Sequence, residues 1–457
     1  MKIFSNIAAI VVMSGLSLFN GLPVRAQSLV QLFEIADRES QLVRVSETGL
    51  KAADEAVEQA KSAMLPSVSL SLSGSYIGTA TLMSRGFSTS GTTDVIVAGL
   101  GPQAVANGAQ TTPHWGNSFT AQASQVVYAG GGIKAGIRMA ELGKQISELD
   151  IQKNKQEVRF LIAGYYLDLC KLKNQQDVVE KNIELTEKVI KNMQSRLKEG
   201  TALKNDITRY ELQLKSLELT RVKLQDAATI ISHQIVTTLH MPADTKIMPD
   251  MNTINQDMEV LKSIASEQAW QEKAAENNIG IQQASVAKNL SDEKVKATRA
   301  ASLPSVALVV EDNLFGPYTS DLIPVNANVN AWFVGFGVKY NLSSLWGNKH
   351  AIRKAKREAE QQQERVTLAR EGVENGVKAN YVNFLTAYKE VETQEKQVEL
   401  ADQNFSVVEN RYKNQLALLT DMLDASNMKL SADMALINAR ISLLYSYYKL
   451  KYVSNTL

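Results

Sequence analysis

Three aspartates form the most regular set of ionisable side chains in this sequence. Asp206 and Asp421 close two copies of one motif, Arg-x-Lys-x-x-x-Ala-Leu-x-x-Asp, at 196–206 and 411–421. Asp424 follows shortly after the second copy. Carboxylates can attract cations, and they can also cap helices by accepting backbone hydrogen bonds. Asp206 and Asp421 also fit the N-cap positions of predicted helices, so both roles remain open.

Other candidates for chemistry are weaker. Gly130, Gly131 and Gly132 follow a strand pattern, but their spacing is not that of a dinucleotide loop and no βαβ unit follows. His233 and His240 could share a helix face, but no third metal ligand accompanies them. No set of nucleophile, histidine and aspartate stands out. The sequence therefore predicts no enzyme, no metal site and no cofactor.

Composition and the first residues indicate export. The chain has 49 basic and 48 acidic residues and no basic tract with interleaved aromatics, so a nucleic-acid partner is not expected. Residues 1–26 are predicted to be a signal peptide: Lys2, an apolar stretch over 3–18, and a small-residue cleavage site at 24–26. After it, no uncharged apolar run approaches the roughly 18–20 residues of a membrane-spanning helix. We expect an exported chain without a helical anchor.

The aspartate motifs belong to a larger duplication. A second motif, Gly-x-Lys-x-x-Ile-Arg-x-Ala, begins at Gly132 and again at Gly347, an offset of 215 residues that the aspartate motifs share. One unit duplicated over most of a chain indicates a quasi-symmetric assembly of the two copies. We predict repeat 1 over 27–240 and repeat 2 over 261–457, joined by an equatorial linker at 241–260.

Each repeat is predicted to contain a long helical hairpin, over 132–240 and 347–455, preceded by shorter helical segments at 29–63 and 262–300. Apolar positions spaced alternately by four and three form a heptad seam. In repeat 1 the seam comprises Val158, Ile162, Tyr165, Leu169, Leu172, Gln176, Val179, Ile183, Thr186, Ile190, Met193 and Leu197. In repeat 2 it comprises Val373, Val377, Asn380, Phe384, Ala387, Val391, Gln394, Val398, Ala401, Phe405, Val408 and Tyr412. Each long helix would extend about 100 Å at roughly 1.5 Å per residue.

A β-hairpin is predicted before each helical hairpin, over 66–128 and 304–342. Residues alternate with period two over the runs 67–75, 117–128, 305–314 and 330–342. Runs of about ten residues can cross a bilayer as tilted strands. The first hairpin is longer than the second by 238 − 215 = 23 residues, which fall in a Gly- and Ser-rich loop around 78–114. A soluble sheet could alternate in the same way, but here it would have little to pack against.

Four strands cannot close a barrel, and each unpaired edge group in lipid costs several kcal/mol. The chain must therefore share strands with other copies. Two chains would give eight strands and an almost filled interior, whereas three would give twelve and begin to leave a lumen. Because the helices are longer than a bilayer is thick, they would continue outside it as a helical tube. The predicted fold is an α+β membrane protein with an internal two-fold repeat.

The mature chain resembles the TolC-like outer-membrane efflux proteins. The resemblance rests on Leu-Pro-Ser-Val at 65–68 and 303–306, on Gly-x-Lys-x-x-x-Arg at the helix starts, and most specifically on 420–425. That segment, Thr-Asp-Met-Leu-Asp-Ala, is similar to the family's Val-Asp-Val-Leu-Asp-Ala. The resemblance implies a homotrimeric TolC-like β-barrel, with four strands per chain, in the outer membrane of a Gram-negative bacterium. It also implies a periplasmic α-helical barrel that docks on a periplasmic adaptor and an inner-membrane pump.

The resemblance further implies a gate. In the family the two aspartates of that motif ring the closed periplasmic mouth, and here they correspond to Asp421 and Asp424. By the repeat, Asp206 lies at the matching turn, so a trimer would bring nine carboxylates toward one axis. Two such charges about 8 Å apart repel by roughly 2 kcal/mol at an effective dielectric constant near 20. A ring of this kind should attract cations and favour widening of the mouth.

Two departures from the family put its closing bonds in doubt. The family's arginine before the first aspartate is Ala417 here, and its turn glycine is Gln415. The available local partners are Tyr412, Asp206 and Arg209. The leading hypothesis is a passive exit duct of a tripartite efflux or type I secretion system. The alternative is a non-channel periplasmic coiled-coil adaptor or tether.

Overall fold

The computed structural model describes most of the chain. The described residues are 28–76, 115–201, 203–250, 258–259, 261, 264–316, 318–319, 324–325, 328–414 and 416–457. The predicted signal peptide at 1–26 and the predicted loop around 78–114 lie outside them. The chain divides into two compact units. The first comprises Met1–Gly49, Glu148–Gln282 and Leu368–Leu457, and the second comprises Leu50–Ser147 and Gln283–Thr367.

Two pairs of shorter helices precede the two β-hairpins. They are α1 Leu29–Glu39 with α2 Gln41–Ser62, and α5 Glu267–Asn277 with α6 Ile279–Ala300. The sequence predicted one helical segment at each place. The segments break at Ser40 and Asn278, which both adopt extended backbone angles. At the second break the Asn278 side chain accepts the backbone N–H of Ile281 (3.2 Å), so it starts the next helix as its cap.

The long helical hairpins show the repeat directly. They are α3 Gly132–Lys198 with α4 Lys204–Thr238, and α7 Ser344–Lys413 with α8 Leu419–Val453. Both ends of α4 and α8 differ by 215 residues. The left-handed residues just after these helices, His240 (φ 51°) and Asn455 (φ 56°), keep the same offset. The predicted internal duplication is therefore confirmed. No helix among the described residues is long and apolar enough to cross a membrane.

The core of the first unit lies along the heptad seam. Val158, Ile162, Val179 and Ile183 on α3 are buried, as the seam predicted. Burial of such side chains contributes about 1.5–3 kcal/mol each. On α7 the seam is buried at Val377, Phe384, Ala387 and Val391, whereas Val398, Ala401 and Phe405 beyond them are only half-buried in the single chain.

The second unit contains the sheet. Its four strands, in the order β1-β2-β3-β6, are antiparallel. Their bounds are β1 Ser67–Tyr76, β2 Trp115–Ala129, β3 Ser305–Gly316 and β6 Val329–Lys339, and a separate short pair is formed by β4 Tyr318–Thr319 and β5 Pro324–Val325. The predicted four strands are confirmed. Within one chain β1 and β6 are edge strands, and each exposes large apolar side chains.

Candidate functional site

The turn between α3 and α4 is closed by backbone hydrogen bonds. Thr201 N–H donates to the Arg196 carbonyl at 2.8 Å, and Gly200 N–H donates to the Leu197 carbonyl at 3.0 Å. Gly200 has φ 72°, a left-handed conformation that other residues rarely adopt. Glycine at this position therefore reverses the chain just after α3 ends.

The turn between α7 and α8 repeats the first of these bonds, with different side chains around it. Leu416 N–H donates to the Arg411 carbonyl at 2.7 Å, the counterpart of the bond from Thr201 to Arg196. In addition, the Arg411 guanidinium donates to the Leu416 carbonyl at 3.3 Å. Arg411 therefore stabilises its own turn. Gln415, the predicted departure from glycine, lies outside the described residues.

The structure corrects the N-cap assignment of the aspartates. The N-cap positions of α4 and α8 are Leu203 and Leu418, and Asp206 and Asp421 are the third helical residues. The Asp421 carboxylate accepts the backbone N–H of Leu418 at 3.0 Å. This is half of a capping box, since leucine has no side-chain acceptor that could complete it. Asp421 thus stabilises the start of α8 from inside the helix.

Asp206 and Tyr412 are brought close together across the two repeats. Burial raises the pKa of the half-buried Tyr412 phenol, the Arg196 charge and hydrogen bond lower it, and the Asp206 charge raises it. The Arg196 guanidinium carbon lies 5.7 Å from the centre of the Tyr412 ring. The Tyr412 side chain therefore lies beside a cation and an anion that both belong to repeat 1.

Below this group lies a small apolar cluster that joins the two hairpin turns. Ile190, Met193, Ile207 and Tyr210 are buried there, and Leu419 and Leu423 of α8 pack against them. Tyr210 is 3% exposed, and its hydroxyl has no hydrogen-bond partner among the described residues. Burial, followed by the charge of Tyr412, raises the pKa of Tyr210 above its usual range.

Arg209 and Asp424 are exposed on the second turns of α4 and α8. The two positions differ by 215 residues, so they are counterparts with opposite charge. A role for Asp206, Arg209, Tyr412, Asp421 and Asp424 in a gate stays a prediction. Sequence reasoning missed Arg196 and Tyr210 as members of this site. The signal that could have found Tyr210 is a difference between the two repeats. Tyr210 corresponds to Ala425, and Tyr412 corresponds to Leu197, so each repeat has a tyrosine where the other has a smaller or aliphatic residue.

The weaker candidates have structural places. His240 ends α4 in the left-handed conformation, and the His233 ring lies 3.4 Å from the Thr237 hydroxyl. Gly130 (φ 61°) makes the tight approach between strand and helix, since a Cβ there would lie 2.7 Å from the Ala300 carbonyl. No cluster of three or more potential metal ligands occurs within the described ranges. Cys170 is fully buried, and burial raises the pKa of its thiol to about 12.

The described fold combines a four-stranded sheet with apolar edge strands and a duplicated long helical hairpin. Solved structures share this fold. VceC from Vibrio cholerae has 16% identity and a TM-score of 0.68, covering 93% of this chain and 95% of that chain. CusC has 13% identity and a TM-score of 0.74, covering 96% and 95%. CmeC from Campylobacter jejuni has 15% identity and a TM-score of 0.68, covering 94% and 85%.

The family described as Outer membrane efflux protein matches residues 32–239 and 270–455. No curated protein matches the chain. Because the family match covers most of the sequence, this chain belongs to the outer membrane efflux protein family, as the TolC-like resemblance predicted. Its function is that of an outer-membrane efflux channel. The family is one of transport channels, which favours the leading hypothesis over the periplasmic tether.

Proposed function

We propose that three copies of this chain form a homotrimeric exit duct in the outer membrane of a Gram-negative bacterium. The twelve strands form one barrel, and the helical hairpins continue it as an α-helical barrel in the periplasm. The duct is passive and narrows to an acidic mouth at the turns between α3 and α4 and between α7 and α8. It serves a tripartite efflux or type I secretion system.

The edge strands carry this proposal. Each chain has a sheet with two unpaired edges, β1 and β6. Leu72 on β1 and Phe336 on β6 are 80% and 75% exposed, so apolar side chains reach both edges. Edges of this kind in lipid must pair with another chain. Pairing β6 of one copy with β1 of the next closes a barrel, and three copies give the smallest barrel with a lumen.

The helices support the same arrangement. α4 has an exposed apolar stripe, which comprises Leu212, Leu219, Val222 and Ile230. α7 has another, which comprises Leu368, Val382, Leu385, Leu400 and Val407. Two different apolar stripes on one chain are what a head-to-tail contact between neighbouring copies requires, and such contacts close into rings.

The acidic mouth rests on the placement of charges at the turns. Asp421 and Asp424 are exposed on α8, and Asp206 lies at the equivalent turn of repeat 1. In a trimer these residues supply nine carboxylates against the three guanidinium groups of Arg209. The excess negative charge attracts cations and favours widening of the mouth.

The same turns are the proposed docking site for partners. Leu203 and Leu418, at equivalent positions of the two repeats, are 69% and 70% exposed, and Leu416 beside the second is also exposed. Exposed leucines at the end of a helical hairpin favour contact with another helical hairpin. We propose that a periplasmic adaptor binds here and links the duct to an inner-membrane pump.

Single-channel recording in a planar bilayer tests this function. Detergent-extracted protein should have the mass of a trimer and give a low, cation-selective conductance. Asp421→Asn/Asp424→Asn should reduce the selectivity for cations, whereas Glu364→Gln/Glu390→Gln, which removes the same charge from exposed positions on α7 far from the turn, should not. A protein that forms no pore would contradict the duct. A pore that responds equally to both pairs would contradict the acidic mouth.

A further inference from the structure

An exposed apolar surface runs along β6 and continues into the first turn of α7. On β6 it consists of alternate residues, which share one face of the strand. The whole surface comprises Trp332, Val334, Phe336 and Val338 on β6, followed by Tyr340, Leu342, Leu345 and Trp346. Exposed aromatic side chains at the end of a membrane strand are typical of the boundary between lipid and water. Trp346, which is 67% exposed, is the last apolar side chain of this surface.

Three basic side chains follow Trp346 along α7. Lys349, Arg353 and Lys356 are spaced by four and three residues, so they lie on one face of the helix, and Trp346 continues that spacing. We call these three residues the basic stripe. All three are exposed, and none forms an ion pair or a hydrogen bond with another side chain in the described part of the chain. The stripe extends over about 10 Å at roughly 1.5 Å per residue.

Other basic residues of the same helix segment are already paired. Lys354 pairs with Glu358 at 3.7 Å, and Arg357 pairs with Glu360 at 2.6 Å. These pairs neutralise the adjacent face of α7. The basic stripe therefore has an excess positive charge that its own helix does not balance.

The equivalent positions of repeat 1 lack this arrangement. Arg138, the counterpart of Arg353, pairs at 2.9 Å with Glu141, which stands where repeat 2 has Lys356. Gly131 stands where repeat 2 has Trp346. The aromatic side chain and the unpaired stripe therefore occur together in repeat 2, and the duplicated backbone does not require either of them.

We propose that the basic stripe binds the phosphate groups of anionic phospholipids, at the membrane surface where α7 leaves the sheet. The inference rests on the proposed placement of the sheet in the membrane. With Trp346 at the lipid boundary, Lys349 lies about one helical turn further out, at the level of the headgroups. Lysine and arginine near a membrane surface attract anionic lipids, and their aliphatic stems can lie along the apolar boundary. A stripe facing an aqueous lumen would not account for the apolar surface that leads to it.

Electron paramagnetic resonance of spin-labelled lipids tests the proposal. The full chain is reconstituted in phosphatidylcholine vesicles that contain a trace of spin-labelled phosphatidylglycerol or phosphatidylcholine, and the motionally restricted fraction of each is measured. Wild-type protein should prefer phosphatidylglycerol by at least about fivefold, the contribution of one cation near the surface. Lys349→Gln/Arg353→Gln/Lys356→Gln should reduce the preference to about onefold. Because headgroup attraction is electrostatic, 0.5 M salt should weaken the wild-type preference, as expected from a Debye length of only about 3–8 Å at or above physiological ionic strength.

A matched control removes the same charge elsewhere. Lys188→Gln/Lys191→Gln/Lys198→Gln changes three exposed lysines of α3 near its turn, and it should keep the wild-type preference. Lys349→Arg/Lys356→Arg preserves the charge of the stripe and should also keep it. Equal preference in the glutamine variant of the stripe and in the control would overturn the proposal, as would a change of ion selectivity in the pore without a change in lipid preference. A wild-type protein that restricts no lipid at all would instead contradict the placement of the sheet in the membrane.

Discussion

The two hairpin turns share one backbone hydrogen bond but differ in their side-chain contacts. In both, an N–H five residues after an arginine donates to that arginine's carbonyl, at 2.8 Å from Thr201 and 2.7 Å from Leu416. The first turn uses the left-handed Gly200, and its arginine is free to contact the other repeat. The second turn uses its arginine to bind itself. Duplication therefore preserves this backbone hydrogen bond, while the two arginines make different contacts.

The tyrosines show the same division. Repeat 1 has Leu197 on the long helix and Tyr210 on the return helix, whereas repeat 2 has Tyr412 and Ala425 at those positions. Tyr210 packs against Leu419 and Leu423 on the same helix as the small, buried Ala425. The large and small residues are complementary between the copies, so the two turns are specialised to pack on each other.

Removing Tyr210 should have the largest effect on this packing. Tyr210→Ala should lower the local free energy of unfolding at the turn by about 3–5 kcal/mol, the usual cost of deleting a buried aromatic side chain. Hydrogen exchange of the backbone amides over 198–214 measures it. Tyr210→Phe, which keeps the ring, should preserve protection, because the lost hydroxyl has no partner. Unchanged protection in the alanine variant would show that the turns do not depend on this side chain.

Gly200 gives the first turn a left-handed backbone conformation. Gly200→Ala should cost about 1–2 kcal/mol at the first turn, since an L-residue is strained at φ 72° although a Cβ there meets no atom within 4 Å. The matched change Gly136→Ala, inside α3 and also with free space, should stabilise by about 0.5–1 kcal/mol. Hydrogen exchange at each site should give opposite signs. The same sign for both would contradict the strain argument.

Two properties of Asp421 can be tested separately, its hydrogen bond to the Leu418 N–H and its negative charge. Asp421→Ala should weaken the start of α8 by about 0.5–1.5 kcal/mol, because the Leu418 N–H loses its acceptor. Asp421→Asn keeps a side-chain oxygen and should retain most of the cap. Amide exchange at 418–422 follows the cap, while cation selectivity follows the charge. If both variants destabilise the helix equally, the charge rather than the hydrogen bond matters there.

The smallest effect is expected from pH. The pKa of Tyr412 is raised by burial and by Asp206, against the lowering effect of Arg196. The neutral phenol is therefore favoured in the folded state. Its contribution is present below the ordinary tyrosine pKa of roughly 10 and is lost as pH rises through the raised value. In single-channel recording, the fraction of time that the channel is open should be constant from about pH 7 to 9 and should increase above about pH 10. Tyr412→Phe should remove this increase.

Much of the fold follows from local patterns in the sequence. The 215-residue offset and the heptad seam predict the paired long helices, and period-two alternation predicts the four strands. The breaks at Ser40 and Asn278 were not predicted, because neither residue interrupts the helical pattern of the sequence. In the structure each residue has extended backbone angles, ends one helix and begins the next. Periodicity does not indicate a break of one residue between two helices.

The candidate site was only partly predictable. Asp206 and Asp421 are recognisable from the repeated motif, whereas Tyr412 was predicted only from the family resemblance. The contact of Arg196 with Tyr412 depends on how α3 and α7 pack, and its two residues are 216 positions apart (412 − 196). Two arginines in identical motifs gave no reason to expect different partners. The distinction depends on how the two turns pack against each other.

Thiol modification at the turn tests most directly whether the turns form the mouth of the duct. The only native cysteine, Cys170, is buried and has a pKa of about 12, so wild-type protein should be inert to a methanethiosulfonate reagent. In a planar bilayer, reagent added to Asp421→Cys should reduce the current, whereas Glu364→Cys, modified to the same extent by mass, should conduct as before. A current unchanged by complete modification of Asp421→Cys would contradict the account.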